Sequence, residues 1–343
     1  MTGSQVLFAT VSTVDGHDTG PSHPERSERL HSVADGVDAA GLHDVVTEFN
    51  SRRASFDELA LVHDQQYLDA LARFLLAGGG DLDPDTPTVE ASWSTALYAA
   101  GTGLVAIESL RRGEGHAAFV AVRPPGHHAT ASRAMGFCLL NNVAVGAASL
   151  AAAGERVLIV DWDVHHGNGT QEIFWDDPRV LYVSTHQWPA YPGSGRASET
   201  GGASAPGLTV NVPLPPGSSG DAALAAMDEI AAPVIDRFEP TWVLISAGFD
   251  AHRDDPLADL VWSAGDFAAL TTKVASFAPQ PGRVVAYLEG GYDLPALARS
   301  AGATVAALAG RHWTPEPTTS GGPGREAVAV AARLRARALG GQL

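Results

Sequence analysis

Two carboxylates and an imidazole follow one apolar stretch at alternating positions: Asp161, Asp163 and His165, in VLIVDWDVHHGNGT. Alternate side chains of an extended chain lie on one face, so these three groups are expected to converge. Asp250, in SAGFDAHRDDP, follows a second apolar stretch. Asp163, His165 and Asp250 would give a divalent cation two oxygen ligands and one nitrogen and leave positions open, as a catalytic metal needs. Zinc fits these ligands, and iron(II), cobalt and manganese are not excluded by them.

Two adjacent histidines, His127 and His128, follow two prolines and a glycine that fix the backbone of a turn. The pair is either a second metal site or a general base with an electrostatic partner. Each imidazole needs an orienting acceptor on its far nitrogen, and Asp161 and Asn168 are available. If Asp161 serves His127 and Asn168 serves His128, then His127 is the more cationic imidazole and His128 the better proton acceptor.

Tyr292 follows two glycines, which let the backbone turn sharply and present the phenol. A phenol donor beside a polarised carbonyl can stabilise a tetrahedral oxyanion. Each of these motifs also has a structural interpretation: helix caps and buried hydrogen bonds for Asp-x-Asp, a surface pair for His-His, and a core side chain for the tyrosine. The length of Asp-x-Asp-x-His-His-Gly and the position of the motifs after apolar stretches favour chemistry.

The composition of the 343 residues limits the protein class. The net charge of −17 argues against a nucleic-acid groove, because little is present to neutralise phosphates. It is compatible with a cationic substrate. The single cysteine, Cys138, excludes an internal disulfide and any CxxC site, so a zinc ion here must use Asp and His. The segment MTGSQVLFATVSTVDG does not resemble a signal peptide and no 18-residue apolar stretch occurs, so we expect a cytoplasmic protein with no membrane span.

Short β-branched stretches alternate with helix-length segments, which predicts an α/β fold with a mainly parallel sheet. Because no Pro/Ser linker divides the chain, we predict one domain over 1–343, with a core of about 5–312 and a C-terminal loop and peripheral helix over 314–343. The predicted strands are Val6–Thr10, Ala118–Val122, Val157–Asp161, Val180–Ser184, Thr209–Val212, Val243–Ser246 and Val284–Leu288. The predicted helices are Glu25–Ala40, Val89–Arg112, Asn141–Ala153, Asp221–Phe238, Ser263–Phe277, Pro295–Ala309 and Glu326–Leu339.

In their order and combination the motifs resemble the histone deacetylase superfamily. The resemblance runs from HPERSERL (His23–Leu30) through VRPPGHHAT, MGFCLLNNVAVGA and VLIVDWDVHHGNGTQ to LEGGYDL (Leu288–Leu294). The asparagine of HHGNGT resembles the class II branch, and related bacterial proteins include acetylpolyamine amidohydrolases. The resemblance implies an arginase-like α/β fold with a central parallel sheet of about eight strands, helices on both faces, and zinc-dependent hydrolysis of an acetamide.

The resemblance also assigns roles to single residues. The second histidine of the pair would be general base and then general acid, while the first would act electrostatically. The resemblance implies that the zinc ligands are Asp163, His165 and Asp250 and that the tandem histidines are His127 and His128. Asp161 and Asn168 would be the partners of these histidines, and Tyr292 would stabilise the oxyanion. Structural potassium would be held by backbone carbonyls, with an inner site at Asp161, Asp163, His165, Ser184 and Thr185 and an outer site at Phe174, Asp177, Val180 and Leu208.

A substrate tunnel is implied as well. Phe137 corresponds to one aromatic wall, Tyr191 to the opposite wall where relatives usually carry phenylalanine, and Gly136 to a carbonyl that accepts the substrate amide N–H. Leu257 lies where polyamine-selective relatives can carry glutamate, which favours an acyl-lysine or neutral-chain substrate. The rim candidates are His23, Asp83 and Asp85.

The predicted function is therefore removal of acyl groups from acyl-lysine or a related acylated amine. An acetylpolyamine or small-amide amidohydrolase is the first alternative. A di-manganese ureohydrolase would need bridging carboxylates in patterns such as Asp-Ala-His-x-Asp, which are absent. A non-catalytic acyl-amine binding protein should have lost a ligand, a histidine or the tyrosine, and all are present.

Overall fold

A computed structural model describes residues 5–11 and 15–340; residues 1–4, 12–14 and 341–343, which belong to the predicted domain, lie outside that part. Its centre is an eight-stranded sheet in which every pair of neighbours is parallel, in the order β2-β1-β5-β10-β9-β6-β7-β8. The strands are β1 (Val6–Thr10), β2 (Val46–Glu48), β3 (Gly79–Asp81), β4 (Pro87–Val89), β5 (Ala117–Ala121), β6 (Val157–Asp161), β7 (Val180–Gln187), β8 (Thr209–Leu214), β9 (Trp242–Ala247) and β10 (Val284–Leu288). β3 and β4 form a separate antiparallel pair.

Eleven α-helices are described around the sheet, which confirms the predicted fold class. They are α1 (Glu28–Ala39), α2 (Phe56–Leu59), α3 (Gln65–Leu76), α4 (Ala91–Arg111), α5 (Asn142–Ala152), α6 (Asn168–Ile173), α7 (Gly220–Ala226), α8 (Ala232–Phe238), α9 (Ala264–Ala275), α10 (Leu294–Leu308) and α11 (Gly324–Ala338). Among the described residues, no helix is both long enough and apolar enough to cross a membrane.

The order of the central strands brings the chemical motifs together. β5, β6, β9 and β10 are buried along their whole length, as strands covered on both faces should be. β6 lies between β9 and β7, with Asp161 opposite Ser246 on one side and Ser184 on the other. Since parallel strands end at the same edge of the sheet, the segments that follow β5, β6, β9 and β10 meet there.

One predicted helix differs in detail from the structure. The segment predicted as a helix over Asp221–Phe238 consists of α7, a π-helical turn over Met227–Ala231, and α8. Pro233 explains the turn, because its ring has no N–H to donate and would clash with the carbonyl four residues earlier in a regular α-helix. Widening the helix by one residue at that point removes the conflict.

Candidate active site

The groups of Asp163, His165 and Asp250 converge where β6 and β9 end. The Nδ1 atom of His165 lies 3.1 Å from a carboxylate oxygen of Asp250 and 3.3 Å from one of Asp163. One ligand atom from each residue lies within 4.8 Å of the others. Ligand atoms placed about 2.0–2.1 Å from a tetrahedral zinc ion are roughly 3.3 Å apart, so the spacing fits a single cation.

The backbone holds both carboxylates towards that point. The amides of His165 and Gly290 donate to Asp163 at 2.9 and 2.7 Å, and the amide of Val164 donates to Asp250 at 2.9 Å. A Cβ atom added to Gly290 would collide with both carboxylates, so the glycine makes room for them. Burial, followed by the charge of Asp163, raises the pKa of Asp250 to about 7. Two carboxylates held this close repel each other, and a cation between them would offset that repulsion.

The tandem histidines have the partners expected from the sequence. Nδ1 of His127 lies 3.1 Å from Asp161, and Nδ1 of His128 lies 2.8 Å from the side-chain oxygen of Asn168. Burial opposes a charged His127, but the charges of Asp163 and Asp161 outweigh it and raise the pKa of this imidazole to about 10. Burial and the neighbouring His127 hold the pKa of His128 well below its usual value. The pair therefore consists of one cationic and one neutral imidazole.

Tyr292 follows β10 and lies beside the same carboxylates. Its ring packs edge-on against Phe137 at 5.8 Å between centroids, and the guanidinium of Arg29 lies 4.9 Å from its centre. Its backbone amide donates to the buried Asp255 at 2.6 Å. Burial raises the pKa of the phenol well above its usual value, so the hydroxyl remains a hydrogen-bond donor at neutral pH.

Gly136 and Phe137 form the tip of a tight turn against the histidines. Both have left-handed backbone conformations, with φ of 56° and 67°, and Met135 and Cys138 pair on either side of them. A Cβ atom on Gly136 would lie 2.6 Å from the His128 ring and 2.9 Å from the Tyr191 ring. The Tyr191 ring is perpendicular to that of His128 at 5.1 Å. The two residues expected to form the tunnel walls therefore lie beside the candidate site.

The three rim candidates form a chain of contacts that begins at Phe137: His23 contacts Phe137, Asp85 contacts His23, and Asp83 accepts from the Asp85 amide. His23 packs edge-on against Phe137 at 4.7 Å and approaches the Asp85 carbonyl at 3.2 Å. Burial and the adjacent Asp83 raise the pKa of Asp85 to about 6. Leu257 is 40% exposed, and its backbone amide binds Asp255, the residue that also holds Tyr292.

Known proteins of similar sequence and fold identify the family of this chain. The profile of the histone deacetylase domain matches residues 23–308. This match shows that the chain belongs to the histone deacetylase family. A "probable deacetylase" of Archaeoglobus fulgidus is 40% identical over 303 residues, covering 86% of this chain and 83% of the relative. A "histone deacetylase-like amidohydrolase" of Pseudomonas aeruginosa is 38% identical over 275 residues, covering 79% and 72%. The crystal structure of the HDA15 HD domain superposes with a TM-score of 0.89 at 35% identity, covering 98% of both chains.

This member of the family is accordingly a hydrolytic deacetylase that acts on an acylated amine. The family is metal-dependent, and the described residues contain a group that fits one cation.

A second group of acidic and histidine side chains, His252, Asp254 and Glu316, forms hydrogen bonds that connect two segments of the chain. The His252 ring accepts from the Asp254 amide at 3.1 Å and pairs with Glu316 at 2.8 Å, which ties the C-terminal loop to the segment that carries Asp250.

The residues implied for potassium form two sets, one near the ends of β6 and β7 and one near the start of β7. Ser184 and Thr185 are buried beside the end of β6, and the Thr185 hydroxyl has no hydrogen-bond partner among the described residues. The outer set lies near the start of β7: Phe174 and Asp177 precede it, Val180 begins it, and the Leu208 carbonyl accepts from the Tyr182 amide at 2.9 Å.

Sequence reasoning missed the buried charges that hold the catalytic loops of this deacetylase. Glu289 accepts hydrogen bonds from the amides of Gly126 and His127 at 2.7 and 3.2 Å. Arg29 donates to the carbonyls of Gly291 and Glu289, with 2.7 Å to the former. Both charged residues lie in motifs that the sequence singled out, HPERSERL and LEGGYDL, and their presence in those motifs was the available signal.

A second set of buried charges stabilises the HPERSERL segment. The guanidinium of Arg123 binds both carboxylate oxygens of Glu25, at 2.9 and 2.7 Å, and Asp15 at 2.7 Å. Both Arg123 and Glu25 are fully buried. Bidentate pairing of this kind fixes geometry as well as charge, so it joins the start of α1 to the turn that carries the tandem histidines.

Arg123→Met is expected to lower the free energy of unfolding by about 3–5 kcal/mol, because Glu25 and Asp15 then lose their main buried counter-charge. Urea unfolding followed by circular dichroism measures the change. Arg311→Met is the matched control, since Arg311 pairs with Asp44 at the surface, where such pairs contribute roughly 0–1 kcal/mol. Equal stability losses for the two variants would contradict this role of Arg123.

Proposed function

We propose that this deacetylase is a zinc enzyme that hydrolyses the amide of an acylated lysine side chain. The observation that carries the proposal is the convergence of Asp163, His165 and Asp250 beside a neutral histidine, His128, and a protonated phenol, Tyr292. Asn168, which resembles the class II branch, supports placing the chain near those enzymes. We further propose that 1–343 is a single deacetylase domain, since buried apolar residues from β1 to α11 form one main cluster.

Asp163, His165 and Asp250 would hold the zinc ion, with two carboxylates to balance its charge. Bound zinc supplies Lewis acidity that polarises the acyl carbonyl and lowers the pKa of water. An inner potassium ion is proposed at the backbone of Asp161, Asp163, His165, Ser184 and Thr185, where it would stiffen the strand ends beside this site, and an outer one is proposed near the start of β7.

The proton transfers are assigned to the chain's own residues. His128 is held by Asn168 in the tautomer with a free Nε2 and accepts a proton from the attacking water. It then returns that proton to the nitrogen of the leaving amine. His127, kept cationic by Asp161, stabilises negative charge that develops during the reaction. The Tyr292 hydroxyl donates to the oxyanion, and the Gly136 carbonyl is placed to accept the substrate amide N–H.

The rim supports a second candidate, an acetylated polyamine. Asp83 and Asp85 supply two adjacent carboxylates, and the backbone carbonyl of Asp85 lies 3.2 Å from the His23 ring. A cationic polyamine chain would be attracted to this pair. Leu257 favours acyl-lysine, because it offers no charge for a second amine of the substrate to bind. The preference for acyl-lysine over an acetylated polyamine therefore rests on Leu257 and is tested by comparing substrates.

A substrate panel at a fixed zinc concentration separates the two. We expect kcat/KM to be highest for acetyl-lysine peptides and lower by about tenfold or more for acetylputrescine and acetylspermidine, a difference that corresponds to ~1.4 kcal/mol. Longer acyl-lysines and small aromatic amides complete the panel. A preference for acetylspermidine that disappears in Asp83→Asn and Asp85→Asn would instead identify a polyamine deacetylase.

A further inference from the structure

A basic cavity lies away from the candidate active site, at the edge of the sheet. It has a volume of 890 Å³ and is bounded by the segment before β8, the end of α8 and the last turns of α11. Its described lining includes three arginine residues and no aspartate or glutamate. In a chain with a net charge of −17, three arginines lining one cavity without an acidic residue are unexpected. The three are Arg156, Arg237 and Arg335.

Arg335 is the buried cation of this cavity. Only 2% of its surface is exposed, and it donates to the carbonyls of Thr209 and Gly207, with 2.5 Å to the latter. Its Nε atom is buried without a hydrogen-bond partner among the described residues, and its guanidinium has no ion pair with a described carboxylate. Burial and the charge of Arg237 lower its pKa to about 10. A buried cation without a carboxylate partner is costly unless an anion offsets its charge.

The other two arginines leave donors available. Arg237 is exposed and makes no ion pair with a described residue. Arg156 caps the end of α8 by donating to the carbonyls of Phe238 and Glu239 at 3.0 and 2.8 Å. Its only described ion pair is a 3.6 Å contact with the exposed Glu239 carboxylate. That carboxylate lines a neighbouring depression and does not line the cavity.

The opposite wall allows close approach of a ligand. Thr200, Gly201 and Gly202 line it, so few side chains stand between the backbone and the cavity. Guanidinium groups bind tetrahedral oxyanions through paired N–H donors, and three such groups match the charge of a phosphate better than that of a single carboxylate.

We propose that this cavity binds a phosphate-bearing anion through Arg335, Arg237 and Arg156. The site is independent of the deacetylation chemistry, because none of its residues contacts the candidate metal ligands, the tandem histidines or Tyr292. It joins α11 to the segment that leads into β8, so a bound anion would stabilise the C-terminal helix on the sheet.

The test is titration of the full chain with inorganic phosphate and with pyrophosphate at constant ionic strength, followed by calorimetry and thermal unfolding. We expect saturable binding of one anion per chain, tighter for pyrophosphate, together with a rise in Tm. Arg237→Gln and Arg335→Gln should each weaken binding about tenfold, as loss of one charge-assisted contact does. Arg333→Gln, an exposed change on the same helix, should bind as the unaltered chain does.

If Arg335→Gln does not fold, Arg237→Gln still tests anion binding, because Arg237 is exposed and makes no hydrogen bond among the described residues. Absence of saturable binding, or equal affinity of Arg237→Gln and Arg333→Gln, would overturn the proposal. Tight binding of citrate with none of phosphate would overturn the assignment to phosphate. Acetate release from an acetyl-lysine peptide should be unchanged in Arg237→Gln, so this result is separate from the outcome for the proposed active site.

Discussion

Asp250→Ala is expected to abolish tight zinc binding and to lower kcat/KM for an acetyl-lysine peptide by about 10³-fold or more, equivalent to roughly 4 kcal/mol. Asp250 contributes one of two buried carboxylates that approach His165, and it is the ligand supplied by β9. Without it only two candidate ligands remain, both from the segment after β6. Elemental analysis of the purified protein measures the zinc content, and acetate release measures the activity.

Asp259→Ala is the control for this change. Asp259 lies in the same loop, is exposed, and its described hydrogen bonds use the backbone: its amide binds Gln187 and its carbonyl binds Gly217. This variant should retain one zinc per chain and full activity. One zinc per chain in Asp250→Ala, at unchanged affinity, would show that the cation is held elsewhere.

Tyr292→Phe is expected to reduce kcat for acetyl-lysine hydrolysis by about 10²–10³-fold, which is the usual effect of removing one oxyanion donor. The ring should stay in place, because its contacts with Phe137 and Arg29 do not use the hydroxyl. The backbone amide would still bind Asp255. KM and zinc content should therefore change little, and steady-state kinetics separates kcat from KM.

Tyr98→Phe serves as the matched removal of a hydroxyl far from the site. Tyr98 is a half-buried residue of α4, and its described interaction is with Arg53 through the ring face. Its turnover should equal that of the unaltered enzyme. If Tyr292→Phe also hydrolyses acetyl-lysine at the unaltered rate, Tyr292 takes no part in stabilising the oxyanion.

The candidate ligands could be predicted because their pattern is local. Asp161, Asp163 and His165 follow one buried strand at a spacing that repeats every two residues, and the parallel sheet then brings Asp250 to the same edge. The pairing of the two histidines with Asp161 and Asn168 could be expected as well, because both acceptors lie in one short segment that begins at the end of β6.

The supporting charges could not be predicted from local pattern. Arg29 binds the carbonyl of Gly291, a residue 262 positions away in the chain, and Glu289 binds the amide of Gly126 across 163 positions. Hydrophobic periodicity marks which residues of α1 or β10 are buried, but it does not show which distant backbone group a buried charge will bind.

Short elements were missed for a different reason. β2 has three residues, Val46–Glu48, and lies at the edge of the sheet, so it has no alternating or continuous apolar pattern. β3 and β4 consist largely of residues that disfavour strands, including Gly79 and Pro87. Their pairing with each other, between α3 and α4, depends on packing that the sequence does not display.

Acetate release by the metal-free and the reconstituted enzyme is the most direct test of the proposed active site. The protein would be stripped with a chelator, and zinc would be returned in steps while hydrolysis of an acetyl-lysine peptide is followed. Activity should be negligible without metal, rise to a plateau at one zinc ion per chain, and stay absent in Asp250→Ala. Undiminished acetate release from the metal-free protein, or a plateau that requires two ions per chain, would contradict the account.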